Sequence, residues 1–127
     1  MRRAVLIADD DAPLLNLLRT VVARNGPFDI VTCRDGEEAI RALESRHFDV
    51  VLLDLMMPRR SGFDVLDFLR AHRPEQLRVV LVLSAATDQF AQRLDASVVH
   101  GVVPKPFDIG QIVALIRNIL ETHEVSH

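Results

Sequence analysis

Residues 49–58, DVVLLDLMMP, are the stretch on which the fold turns. Val50 to Leu53 is an unbroken apolar run rich in β-branched residues, the pattern of a strand covered on both faces of a parallel sheet. The run stops at a carboxylate, Asp54. An acid at the C-terminal end of an inner parallel strand stands where open α/β sheets bind ligands, in the crevice beyond the strand ends. A strand-end Asp taken alone can equally well cap a turn, so its neighbours decide.

Upstream, Arg3 to Ala8 reads as a strand followed at once by Asp9, Asp10 and Asp11. Leu14, Leu17, Leu18, Val21 and Val22 then recur at helical spacing between Pro13 and the stop signal Asn25-Gly26. Phe28 to Cys33 alternates more than the other strands, as suits a sheet edge. Asp35-Gly36-Glu37-Glu38 predicts a capping box opening a helix to about Arg46, with Ala39, Ile40 and Leu43 facing in.

Downstream, Ser61 predicts the cap of a helix to about His72 that buries Phe63, Leu66 and Leu69, and Pro74 breaks it. Arg78 to Leu83 is a second continuous apolar run and so another inner strand. Thr87 to Ala96 is a short fourth helix with only Phe90, Ala91 and Leu94 to pack, expected to be the most mobile. Val98 to Val103 forms the last strand. Asp108-x-x-Gln111, stapled by Phe107 and Ile112, opens a final helix ending near Thr122. Its stripe is Ile109, Ile112, Val113, Ile116, Ile119 and Leu120. Five strands alternating with five helices predict an α/β fold, a doubly wound parallel sheet covered on both faces.

At 127 residues the chain suits one domain, expected over 1–122 with a short tail at 123–127. A net charge of -3 argues against direct nucleic-acid binding, which normally needs a basic excess. The three aspartates that follow MRRAVLIA exclude a signal sequence or spanning helix there, so a cytoplasmic location away from membranes is expected. The single cysteine, Cys33, excludes an internal disulfide and reads as a small buried hydrophobe. His47, His72, His100, His123 and His127 never share a helix at i, i+4 with an acidic helper, so no zinc site is expected. Lys105 is the only lysine among fifteen basic residues, as if a compact ammonium were needed there.

Parallel strands would bring Asp9, Asp10, Asp54, Ser84 and Lys105 to one edge of the sheet. Each alone has a plain structural use, as helix cap, turn hydroxyl or surface ammonium. Together they are hard to explain that way. Three converging carboxylates repel one another and raise at least one pKa. A hard divalent cation relieves this, and oxygen ligands with a phosphoryl partner suit Mg²⁺ best. The ammonium and hydroxyl supply donors for the remaining oxygens of a phosphoryl group, with a carboxylate as acceptor.

LIADDD, LLDLMMPRRSG, LVLSA and PKPFD occur here in an order and spacing that resemble the receiver domain of two-component response regulators, chemotaxis-type and single-domain. The resemblance covers Arg3 to Leu120 and implies the flavodoxin-like strand order 2-1-3-4-5. It implies that Asp54 accepts a phosphoryl group from a phosphohistidine of a histidine kinase or phosphotransfer protein, with Lys105 and Ser84 assisting. Mg²⁺ would be held by Asp10, Asp54 and the backbone carbonyl of Met56, with Asp9 acting through water. A downstream protein target would dock on the face made by the fourth helix, the fifth strand and the final helix. The Lys105-Pro106 peptide is often cis in such proteins.

Three departures stand out. Val102 occupies the position of the usual aromatic switch residue, so the ordinary coupling to Ser84 is expected to be altered. His100-Gly101 replaces an acidic pair, which weakens the expectation of the salt-bridged dimer of winged-helix regulators. Pro104 removes a backbone donor just before Lys105. Met56 and Ala86 offer no polar group to orient water, so slow loss of the phosphoryl group is expected.

The chain is thus expected to be a signalling switch, not an enzyme, although it takes part in its own phosphorylation and slow dephosphorylation. An aspartate-nucleophile phosphatase would need a second acid where Met56 stands, and a cap domain. Flavin binding fares badly, because three aspartates repel phosphate and no Trp or Tyr is present to stack. A receiver excised from a longer regulator or hybrid kinase, or a partner-binding pseudo-receiver, remain the alternatives. The Met1 start and short tail favour a complete single-domain regulator.

Overall fold

Five parallel strands form one sheet in the order β2-β1-β3-β4-β5, as expected. The structure is a computed structural model that describes residues 2–85 and 96–123. In chain order the elements are β1 (Arg3–Ala8), α1 (Ala12–Arg24), β2 (Phe28–Cys33), α2 (Gly36–Ser45), β3 (Val50–Asp54) and α3 (Gly62–His72). A 3₁₀ segment (Pro74–Val79), β4 (Val80–Ala85), a 3₁₀ turn (Ala96–Val98), β5 (Gly101–Lys105) and α4 (Ile109–His123) complete them. The fourth helix expected over Thr87 to Ala96 lies outside the described residues except for Ala96. The final helix of the sequence reading is therefore α4.

The strand order explains where a site can form. The chain leaves β1 toward β2, then reverses, so right-handed crossovers place α1 on one face and α2 and α3 on the other. The contacts agree: α2 packs against α3, and α1 against α4. Between β1 and β3 the winding reverses, and a crevice opens beyond their carboxyl ends.

The core is the sheet itself. Val50 to Leu53 are completely buried, as are Val5 to Ile7 and Val80 to Leu83 on the flanking strands. Burying each such side chain is worth about 1.5–3 kcal/mol relative to exposure. Register is pinned at the base of β3, where Asp49 N donates to the Ala4 carbonyl at 2.8 Å. Asp49 Oδ2 in turn accepts from Ala4 N at 2.8 Å. Edge strand β2 is only partly buried, in keeping with its alternating sequence.

Several expected boundaries and contacts move. Arg78 and Val79 belong to the 3₁₀ segment, because Gln76 turns its side chain inward and bonds Phe48 N at 2.7 Å and Phe48 O at 2.8 Å. The last strand starts at Gly101 and runs on through Pro104 to Lys105, since Val98 lies in the 3₁₀ turn. Pro104 is tolerated there because β5 is an edge. On α3 it is Val65, with Leu66 and Leu69, that is buried, while Phe63 is half-buried. Glu38 closes the cap of α2 on Arg34 N at 3.0 Å, one residue before the expected Asp35. Asp108 opens α4 through Gly110 N at 3.0 Å, whereas Gln111 N goes to the Asp108 carbonyl.

Candidate functional site

β1 delivers Asp9 and Asp10 to the crevice. Asp9 is wholly buried, and its backbone N donates to the Cys33 carbonyl at 3.0 Å. Its Oδ1 accepts from Asp11 N at 2.9 Å. Asp11 is the N-cap of α1, its Oδ1 taking Leu14 N at 3.3 Å, while Asp10 is exposed at the mouth. Thus one of three consecutive acids serves the helix and the other two serve the crevice.

Asp54 closes β3 at 5% exposure. Its Oδ1 accepts from Met56 N at 3.3 Å. Across the sheet, Lys105 ends β5 and extends its ammonium to Asp9 Oδ2 at 3.2 Å and to Asp54 Oδ1 at 3.5 Å. The one lysine of the chain therefore sits where two buried carboxylates need compensation. Burial, and next the charge of Asp9, push the Asp54 carboxyl up to about 6; the Lys105 ammonium and the Met56 N–H oppose this.

Ser84 is buried one residue beyond Leu83, which lies opposite Asp54 in the β3–β4 register, so its strand brings it to the same edge. Its hydroxyl donates to the Ala85 carbonyl at 3.2 Å. Met56 is half exposed. Carboxylate oxygens of Asp9, Asp10 and Asp54 all lie within 4.8 Å of one another. Three hard oxygen donors at that spacing, one at the solvent mouth, fit a small divalent cation that keeps part of its water shell. The Lys105-Pro106 peptide is cis. Cys33 is buried, and burial with the charges of Glu38 and Asp35 pushes its thiol up to about 12, so it behaves as a hydrophobe.

In the loop from Asp54 to α3 the structure gives the physical reason for the Gly62 that closes the LLDLMMPRRSG motif, and it adds Arg59, which the sequence did not single out. Gly62 N donates to the Leu55 carbonyl at 2.8 Å, and a Cβ there would run into the Asp54 carbonyl and Leu55 Cα. Only glycine lets the loop return so close beneath Asp54. Arg59 has φ of 64°, the one positive φ on a non-glycine among the described residues. It pairs with Asp35, its Nε 2.8 Å from Oδ2. A capping signal marked Asp35 in the sequence, but nothing local marks Arg59.

Among the described residues, no helix is long and apolar enough to cross a membrane. The family model described as "Response regulator receiver domain" matches residues 5–117. The chain is 36% identical over 125 residues to the DNA-binding response regulator MtrA of Mycobacterium tuberculosis, covering 98% of this chain and 53% of that protein. It is 29% identical over 127 residues to the alkaline phosphatase synthesis transcriptional regulatory protein PhoP of Bacillus subtilis, covering 99% of this chain and 52% of that one. The chain spans about half the length of the curated relatives it matches. The response regulator TrrA of Thermotoga maritima, solved in complex with Mg²⁺-BeF, superimposes with a TM-score of 0.80 at 25% identity, covering 93% of this chain and 99% of that one. The acid cluster, the lysine that bridges it and the strand order thus coincide with the match, and the chain belongs to the response regulator receiver domain family.

Proposed function

We propose that Asp54 accepts a phosphoryl group from a phosphohistidine of a histidine kinase or phosphotransfer protein, and that the chain thereby changes its binding to a downstream protein. The family's general function, phosphorylation-dependent switching, supports this reading. The observation that carries it is the Lys105 ammonium, 3.2 Å from Asp9 and 3.5 Å from Asp54 at the crevice of the sheet. A cation so placed can leave Asp54 for an incoming phosphoryl oxygen while keeping Asp9 as its partner.

An Asp54 oxygen attacks phosphorus in line, the P–N bond of the phosphoimidazole breaks, and the ring nitrogen leaves with the electron pair and takes up a proton. Asp54 attacks as the carboxylate, the form that the Lys105 ammonium favours and that Mg²⁺ would favour further. Lys105 stabilises the charge gathering on the phosphoryl oxygens, and Ser84 can turn its hydroxyl from Ala85 toward them. Asp9, Asp10, Asp54 and the Met56 carbonyl would hold Mg²⁺, which supplies charge neutralisation between the acids and the phosphoryl oxygens. The Mg²⁺-BeF complex of TrrA supports this choice of cation.

Asp54 is consumed in each transfer and regenerated when the acyl phosphate is hydrolysed, so the chain acts as a switch rather than as a turnover enzyme. Hydrolysis is slow, because Met56 has no polar group to orient water; Ala86, the other residue invoked for this, lies outside the described residues. The switching face includes β5 and α4, and Val102 fits it only as a small half-buried side chain opposite Val82. The chain carries a net charge of -3, which suits protein partners rather than nucleic acid.

Intact mass after incubation with acetyl phosphate tests the proposal. The expected result is a Mg²⁺-dependent gain of one phosphoryl group that is absent from Asp54→Asn. No gain in the wild type under either condition overturns it in favour of a pseudo-receiver.

A further inference from the structure

Resting on that reading, we infer that Asp35 and Arg59 are positioning residues for the Mg²⁺ and phosphoryl site: their ion pair fixes the β3–α3 loop on the first turn of α2 and thereby sets where the Met56 backbone lies beside Asp54. Neither residue belongs to the acid cluster or touches Asp54 through its side chain.

The loop from Leu55 to Gly62 is a strap held at both ends. At the Asp54 end Leu55 N reaches the Leu83 carbonyl at 3.3 Å and Met57 is buried, leaving Met56 exposed between two anchored neighbours. At the far end Arg59 adopts φ of 64°, a conformation that a non-glycine side chain disfavours and that needs surrounding contacts to persist. The contacts are visible. Arg59 Nε donates to Asp35 Oδ2 at 2.8 Å, and the next carbonyl, Arg60 O, accepts from Gly36 N at 2.9 Å.

The receiving surface is itself rigid. Asp35 is buried, and its Oδ1 is already committed to Glu38 N at 2.8 Å as the cap of α2. The Glu38 N–H and then Arg59 hold its carboxyl below the usual range, so it stays charged toward Arg59. A Cβ on Gly36 would run into the Arg60 carbonyl, so the strap lies directly against helix backbone. A cleft of about 450 Å³ lined by Asp10, Asp35, Pro58 and Arg59 joins this clamp to the mouth of the acid cluster. Met56 is three residues from Arg59, and its N–H is already bonded to Asp54, so release of the clamp acts on the atoms around the phosphoryl acceptor.

Mg²⁺ binding to the full chain at 25 °C, by calorimetry and by the amide shift of Met56, reads this directly. Asp35→Asn keeps an oxygen for the α2 cap but loses the charge that holds Arg59. Arg59→Gly loses the pair and relaxes the backbone. Each is expected to weaken Mg²⁺ affinity about tenfold, and the double variant no further, because both remove one clamp. Arg70→Ala, which removes a positive charge from the exposed face of α3, should stay within about twofold of the wild type. Unfolding midpoints measured alongside confirm that every variant is folded at 25 °C, where lost stability alone leaves the affinity of the folded chain unchanged. Single variants that bind Mg²⁺ as tightly as the wild type overturn the clamp and leave the proposed function standing. A wild type that neither binds Mg²⁺ nor gains a phosphoryl group overturns both.

Discussion

Val50 to Leu53 and the carboxylates of Asp9 and Asp54 lie side by side in and at the end of the same sheet and are buried almost equally, with Lys105 half-buried over the two acids. The first is apolar and gains stability from every side chain withdrawn from water; the second withdraws carboxylates from water and loses it. One strand thus carries the fold over its first four residues and gives some of that stability back at its fifth. The contrast teaches that the site is held in place by the strands around it rather than by its own contacts.

The largest effect should come from breaking the apolar side. Leu52→Ala is expected to lower unfolding free energy by about 3–4 kcal/mol, read from urea denaturation, because Leu52 is fully buried between β1 and β4 partners. A cost below about 1 kcal/mol would mean that the sheet is not close-packed there.

Relieving the polar side should do the opposite. Asp54 takes up a proton at about 6 in the fold against the ordinary 3.8 of a free Asp side chain. Between these values the folded state holds the extra proton, so Asp54's contribution to stability falls as pH rises through this window and is fully lost above it. The full difference corresponds to ~3 kcal/mol, and sharing of charge with Asp9 and Lys105 reduces the expected gain for Asp54→Asn to about 2 kcal/mol at neutral pH. Without Mg²⁺, the two proteins should differ little near about pH 4 and diverge as pH rises. A variant less stable than the wild type at neutral pH would contradict this. Mg²⁺ should narrow the gap by stabilising the wild type.

The smallest effect on stability, and a sharper probe of chemistry, is Met56→Asn. Met56 is half exposed, so stability should change by less than about 0.5 kcal/mol. An amide at that position can orient water, and loss of the phosphoryl group should quicken several-fold as followed by intact mass. An unchanged rate would remove Met56 from the account of lifetime.

Much of this was legible in the sequence. The apolar runs are local signals: Val50 to Leu53 cannot be half-exposed, and continuous runs alternating with helical stripes leave little besides a parallel sheet covered on both faces. Asp54, Asp9 and Lys105 were found because each sits at the end of such a run, so the strand pattern alone placed them on one edge. Edge strand β5 was less legible: Pro104 belongs to the strand because its missing N–H falls on a sheet edge, and edge position is a property of strand order.

What only the tertiary structure decided are contacts between residues far apart in the chain and unmarked by any local pattern. Asp35 and Arg59 are 24 residues apart, and their pairing depends on how α2 packs beside the loop after β3. Gly62 is required because that loop returns beneath the Asp54 carbonyl, and Gln76 is buried because the Phe48 backbone needs both its bonds. Hydrophobic periodicity reports which side of an element faces inward. It carries no information about which partner is met there, because partner choice follows from packing and loop closure across the whole chain.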